Sequence, residues 1–453
     1  MEPVSALSDP HGSPLDHILA APDPGAVAFI CEEYYRPGAP SLSLIAVHVP
    51  DSHHHWVVVT DRLAEVRTWL AGHALDRTSL GQLATLLGVP VLDLRAAWRL
   101  QPVCIPKPWG QEIWYTGIEQ RGQSGVGDSQ ACLPLPWVLA LSPDALLMTG
   151  KREPALLKIL DPLAEEVYGD LYFELHEEKR EVYVVTHVDR DTWPDGVGAI
   201  RFGFDQDVRK AFPSDEDFRR AYLAAVRDYE SVRRVIDERC DALREAAGIG
   251  LNEPVAADTL KSWLATLPEE LVAREREARA AMNRFTHMLP LRVGDVVKVP
   301  CLTPHALQHG VRTVEFQTPV YERQILSFAQ KVLTQSHWDT ARAVGLMSLG
   351  AGALEPLELL LDDDSLRLER IVRFSDFEVL RLTLRADARW TLPEADHYRL
   401  LMVVAGSPEV GDQRCEPEDA LLVPRCALTP SIAAREGHEA VVLICLPTLA
   451  DSP

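Results

Sequence analysis

LYFELHEEKREVYVVTHVD, residues 171–189, opens with an alternating run of apolar and polar side chains, the period of a strand. Glu174 and His176 stand two apart and therefore share one face. Glu181 opens VYVV, rich in β-branched and aromatic residues, which is predicted as the second strand of a hairpin. Folded over, that hairpin carries Glu181 toward Glu174 and His176. Between them, Glu177, Glu178, Lys179 and Arg180 are expected to form a solvated turn. Far downstream, GDVVKVPCLTPHALQHG, residues 294–310, runs from an apolar strand into a proline-flanked turn that presents His305. Two carboxylates and two imidazoles converging inside a small β-barrel make a site for a divalent metal. Zinc is the expected ion, and the same donors suit Fe2+ or Mn2+.

Composition bounds the rest. A chain of 453 residues is long enough for several domains and a sizeable core. A formal net charge of −22 argues against nucleic-acid binding, which rests on Lys and Arg neutralising phosphates. The same charge requires any anionic substrate to find a local basic pocket. Eight cysteines are scattered without a CxxC pair, which suits reduced thiols and a cytoplasmic setting. Nowhere do 18 consecutive apolar residues occur, so no membrane span is expected, and the first 30 residues lack the pattern of a secretion signal.

Along the chain, residues 1–24 are rich in Pro, Ser, Asp and Gly and are expected to be a loosely held arm. Residues 25–101 mix strand and helix patterns and are expected to form a small α/β domain. Its His53-His54-His55 run is expected in an exposed loop, since neighbours on a strand face opposite sides. Residues 102–204 form the first part of a barrel. Lys158 there lies within apolar LLKIL, where a buried lysine is costly unless paired or facing a ligand. From 205 to 286 the period changes to helical: Phe218, Tyr222, Ala225, Val226, Tyr229, Val232, Val235 and Ile236 recur at helical spacing, with Ser214 and Asp217 as the N-terminal cap. Residues 287–336 resume the barrel, 337–366 connect, and 367–453 return to short strands. An internal echo pairs DVVKVP (295–300) with DALLVP (419–424), and EVYVV (181–185) with LLMVV (400–404), placing Leu400 where the first barrel has Glu181. The tail is therefore expected to be a second jelly roll without a metal set.

Taken together, these motifs resemble the type I phosphomannose isomerases (mannose-6-phosphate isomerases), zinc enzymes of the cupin superfamily, of which the chain would be a divergent member. The resemblance implies Glu174, His176, Glu181 and His305 as metal ligands. KPWGQEIW (107–114) is similar to a family segment near the substrate, implying Lys107 and Trp109 as substrate-binding residues. LLKILDPLA (156–164) is similar to the segment supplying a substrate-facing lysine, here Lys158, and VEFQ (314–317) with Arg323 to the one supplying an acid, Glu315, and an arginine. Glu315 would be the catalytic base, Arg323 would steady the enediolate or a phosphate, and Lys158 would hold the phosphate or shuttle a proton.

The fold implied is mainly β with inserted α: a cupin jelly-roll barrel carrying a helical insertion, then a second jelly roll free of metal. The implied activity is zinc-dependent aldose–ketose isomerisation of a phosphorylated hexose, most simply mannose 6-phosphate to fructose 6-phosphate. The implied partner is a small-molecule sugar phosphate, and the implied state a monomer or homodimer. Two other readings are compatible with the same residues: a metal-binding cupin with a different reaction, and a non-catalytic sugar-binding cupin. Three departures bear on the choice. Glu174 stands where the family has Gln and would make the ion a weaker Lewis acid. Glu177 replaces the usual proline, and Arg323 follows Glu315 by eight positions, a shorter interval than the family's.

Overall fold

The computed structural model describes residues 5–6, 13–107, 109–165, 172–250, 253, 255–328, 337–435 and 437–448. The chain is mostly β, consistent with a cupin-like fold, and divides into two compact units, each assembled from separated stretches. One comprises Met1–Val103, Trp114–Leu157 and Leu357–Pro453; the other comprises Cys104–Ile113 and Lys158–Pro356.

In the first unit, strands Gly25–Glu32, Ser41–Pro50 and His55–Thr60 form an antiparallel sheet. Helices Leu63–Gly72 and Arg77–Leu87 cover it through Val47, Val58, Leu80, Leu83 and Leu87. The second helix starts at a capping box between Asp76 and Ser79 and stops at Gly88, whose φ of 66° suits a residue without a Cβ. Part of the expected loose arm is ordered: Pro14–Ala20 is helical, capped by Ser13, and buries Leu15 and Ile18. The histidine run also divides. His53 and His54 give their backbone N–H groups to the Asp51 carboxylate, whereas His55 begins a strand and is buried against His48.

The rest of this unit pairs a nine-stranded sheet with a four-stranded one. Leu382, Leu401, Leu421 and Ile444 of the first meet Trp390, Val410 and Ile432 of the second in one core. Strand Arg399–Ala405 lies between Ala420–Val423 and Ala440–Pro447.

The second unit is also a sheet pair. Six strands run in the order Val296–Val299, Glu181–Val188, Val311–Gln317, Leu156–Pro162, Gly110–Trp114, Val103–Lys107. Five run in the order Thr286–Leu291, Gly198–Phe204, His305–Leu307, Tyr172–Leu175, Gln324–Phe328. Tyr183, Val185, Val297 and Val311 pack against Ile200, Phe202, Leu289 and Leu307 between them. The helices Asp215–Ala246, Ala257–Leu264 and Glu269–Asn283 follow strand Gly198–Phe204 and precede Thr286–Leu291. Ser214 caps the long helix by accepting from the Asp217 N–H, as its sequence predicts. Phe218, Tyr222, Met282 and Phe285 clamp onto Phe173, Leu175 and Phe204, each buried ring contributing about 1.5–3 kcal/mol.

Two expectations are corrected by register. Tyr172–Leu175 and Glu181–Val188 are not a hairpin: they belong to different sheets, so residues 176–180 cross from one wall to the other. Periodicity fixes the face a residue occupies, not the sheet that receives it. Likewise, the counterpart of Glu181 is Arg399, not Leu400. Glu181 pairs with Val299 and Arg399 with Val423, and the strand bulges after Val185 in one case and after Val403 in the other. Val185 accepts from Gly294 and donates to Asp295; Val403 accepts from Glu418 and donates to Asp419. The bulge is invisible in the letters that suggested a match one residue later.

Candidate metal centre and cleft

Glu174 and His305 are direct cross-strand partners, which places their side chains on the same wall. His176 lies just beyond the end of its strand, on the face of Glu174. The turn ahead of His305 is tied back to it: the Leu302 N–H donates to the His176 carbonyl at 2.7 Å. Leu302 itself has a φ of 64°, an unfavourable left-handed conformation for a leucine. Gly203, at φ 69°, donates its N–H to Pro304 and admits the close approach of Gly350, where any Cβ would collide. Glu181 arrives from the opposite sheet.

Both imidazoles are oriented by backbone. His176 Nδ1 donates to the Glu322 carbonyl at 2.9 Å and His305 Nδ1 to the Thr303 carbonyl at 3.0 Å. With the rings neutral, as a metal requires, each Nε2 would aim a lone pair inward. His176 Nε2 lies 3.4 Å from Glu174 Oε1 and 3.5 Å from Glu181 Oε1, and His305 Nε2 lies 2.9 Å from Glu181 Oε2. A tetrahedral ion with bonds of about 2.0–2.1 Å requires ligand atoms about 3.3 Å apart, close to these separations. Glu174 Oε2 and His176 Nε2 are buried without a hydrogen-bond partner. Among the described residues, Glu174, His176 and His305 form the one group of three such donors within 4.8 Å of one another. The donor set fits a divalent metal.

Glu181 is more heavily engaged than expected. Its Oε1 receives the Lys179 ammonium at 2.6 Å, and its Oε2 the Tyr183 hydroxyl at 2.6 Å. Burial would raise its carboxyl, but the Lys179 charge and then His176 hold it well below the usual range. Lys179, expected in a solvated turn, is buried. The strand period could have revealed it, because Lys179, Glu181 and Tyr183 stand two apart on one face. Glu322 was also missed. Its carboxylate accepts the backbone N–H groups of Glu178 and Lys179, clasping the crossing segment while its carbonyl orients His176.

The cleft beside this cluster has Trp109, Glu112, Lys158, Tyr172 and Glu315 in its lining. Lys158 Nζ lies 3.3 Å from Glu315 Oε2. Burial pushes the Glu315 carboxyl well above the usual carboxylate range; Lys158 works against that shift and Glu181 adds to it. For Lys158, burial disfavours the charge, yet Glu315, Glu112 and Glu181 outweigh it and hold the ammonium above its ordinary value. Lys107 pairs with Glu112 at 3.3 Å, one step behind the lining. Trp109 packs on Ile236, Cys240 and Leu260 as well as facing the cleft. Arg323 hydrogen-bonds the Tyr172 hydroxyl, with its guanidinium 4.7 Å from that ring's centre. Pro108 lies outside the described residues.

No family model and no curated protein matches the sequence. Solved structures do. The mannose 6-phosphate isomerase of Bacillus subtilis aligns over 77% of this chain and 99% of its own, at 13% identity and a TM-score of 0.50. The apo enzyme of Salmonella typhimurium aligns over 78% and 100%, at 13% identity and a TM-score of 0.55. A zinc-bound mannose 6-phosphate isomerase aligns over the same shares at 12% identity and a TM-score of 0.54. The chain has the fold of the mannose 6-phosphate isomerases.

Proposed function

We propose that this protein is a zinc-dependent aldose–ketose isomerase of a phosphorylated hexose, with mannose 6-phosphate and fructose 6-phosphate as the pair to test first. The observation that supports it best is the clustering of two backbone-oriented imidazoles with the Glu174 carboxylate, at a cleft that Glu174 and His305 line together with the Lys158–Glu315 ion pair.

Glu174, His176, Glu181 and His305 would hold the ion. A divalent metal held by them would supply Lewis-acid polarisation of the substrate carbonyl. Glu315 takes the proton from the carbon beside that carbonyl and returns it to the former carbonyl carbon. A carboxylate whose proton affinity is raised by burial is better matched to that task near neutral pH than an exposed one. Lys158 donates a proton to the carbonyl oxygen and recovers one from the neighbouring hydroxyl, so both groups finish as they began. Arg323 steadies an anionic oxygen of the substrate, and Trp109 closes the apolar side of the cleft.

A coupled assay for fructose 6-phosphate, run on protein of measured metal content with and without a chelator, tests the proposal. Turnover that is lost to the chelator and restored by zinc is expected. A zinc-replete protein that leaves mannose 6-phosphate untouched would refute the substrate, and absence of stoichiometric metal would refute the reading as a whole.

A further inference from the structure

Arg399 is 1% exposed and among the largest fully buried side chains of the molecule. It opens strand Arg399–Ala405, and alternation puts it on the face of Leu401 and Val403, which line the core between the nine- and four-stranded sheets. Its Nε and Nη2 atoms have no hydrogen-bond partner, and among the described residues no carboxylate pairs with it. A guanidinium does not give up its proton at any ordinary pH, so the charge stays where it is. Water could take up the hydrogen bonds, but it leaves a buried cation uncompensated.

The register gives this position a meaning. In each unit a central strand is flanked by a short strand that ends before a proline and by a long closing strand, in the same order. The bulges and the backbone hydrogen bonds of Val185 and Val403 superimpose the two patterns, and Arg399 then falls on Glu181. One sheet pair presents a carboxylate at this point, beside imidazoles that suit a cation. The other presents a buried guanidinium on the strand face of Leu401 and Val403.

We propose that the Arg399 position is a binding site for an anionic oxygen group, a carboxylate or a phosphate monoester, which the forked donors of the guanidinium grip in the sheet pair that carries no such carboxylate of its own. This site is independent of the isomerase reading. It makes the unit containing Leu357–Pro453 a ligand-binding module of inverted charge, rather than a degenerate copy.

The test uses thermal unfolding and titration calorimetry of the full-length protein with sodium phosphate or sodium acetate, against sodium chloride at matched ionic strength. Phosphate or acetate well above its dissociation constant should raise the midpoint of the wild type by a few degrees. The shift should vanish in Arg399→Met, weaken in Arg399→Lys, and persist in His305→Ala. Which of the two anions acts identifies the group recognised. The proposal is overturned if neither anion exceeds the chloride control, if Arg399→Met retains the shift, or if His305→Ala abolishes it, since the anion would then be reporting on the cleft.

Discussion

Replacing His305 by alanine removes one inward lone pair while leaving Glu181 its contacts with Lys179 and Tyr183. The metal-free protein should therefore lose little. The metal-dependent part of its stability should fall sharply. At a free zinc concentration of about 100 times the wild-type dissociation constant, binding contributes about 2.7 kcal/mol. Disrupting even the partners that orient a metal ligand costs about 10- to 100-fold in affinity, so loss of a ligand should reach at least the upper figure. The variant would then sit near half-saturation and gain only about 0.4 kcal/mol. For a unit the size of Lys158–Pro356, each kcal/mol moves the midpoint by about 2–4 °C. Scanning calorimetry with and without zinc should thus show a rise of roughly 5–11 °C in the wild type and about 1–2 °C in His305→Ala. An undiminished zinc-dependent rise in the variant would remove His305 from the ligand set, and with it the argument from the two oriented imidazoles.

Other perturbations separate the parts of the site. Glu315→Gln should keep the zinc-dependent rise and lose about 10²- to 10⁴-fold in turnover; a fully active variant rejects Glu315 as the base. Lys179→Met should bind zinc at least about tenfold more tightly in competition with a chromogenic chelator, because it removes a cation seated on a ligand carboxylate. Unchanged or weaker binding would show that the ammonium does not oppose the ion. Away from the site, burial, together with His55 and His17, lowers the His48 imidazole from 6.5 to about 4. The unfolded chain therefore binds the proton more readily, and stability should fall as pH drops from 6.5 toward 4, then stop falling on this account. His48→Phe should flatten that part of the denaturation profile; an equally steep profile would assign the acid sensitivity elsewhere.

The clustering of Glu174, His176 and His305 was legible in the sequence because period-2 spacing alone puts Glu174 and His176 on one face, and a Pro-flanked turn delivers His305. The sequence could not say that Glu181 lies on the opposite wall, since a strand's alternation is the same in either sheet. Lys179 was hidden by its charged neighbours: Glu177, Glu178 and Arg180 look like a solvated turn, and only the step of two to Glu181 and Tyr183 points inward. Glu322 acts through its backbone carbonyl and through bonds to backbone N–H groups, which leave no mark in the letters. The long helix Asp215–Ala246 was legible from its stripe and its Ser214 cap. Arg399 was missed because aliphatic runs align equally well one residue apart, whereas the pairing of Val423 and the bulge after Val403 admit a single register.

Whether an ion is held between groups from two facing sheets is tested most directly by X-ray absorption at the zinc edge on the reconstituted protein. Two imidazole nitrogens together with carboxylate oxygen at about 2.0–2.1 Å are predicted. A sulfur shell near 2.3 Å, or a spectrum without imidazole scattering, would contradict that ligation.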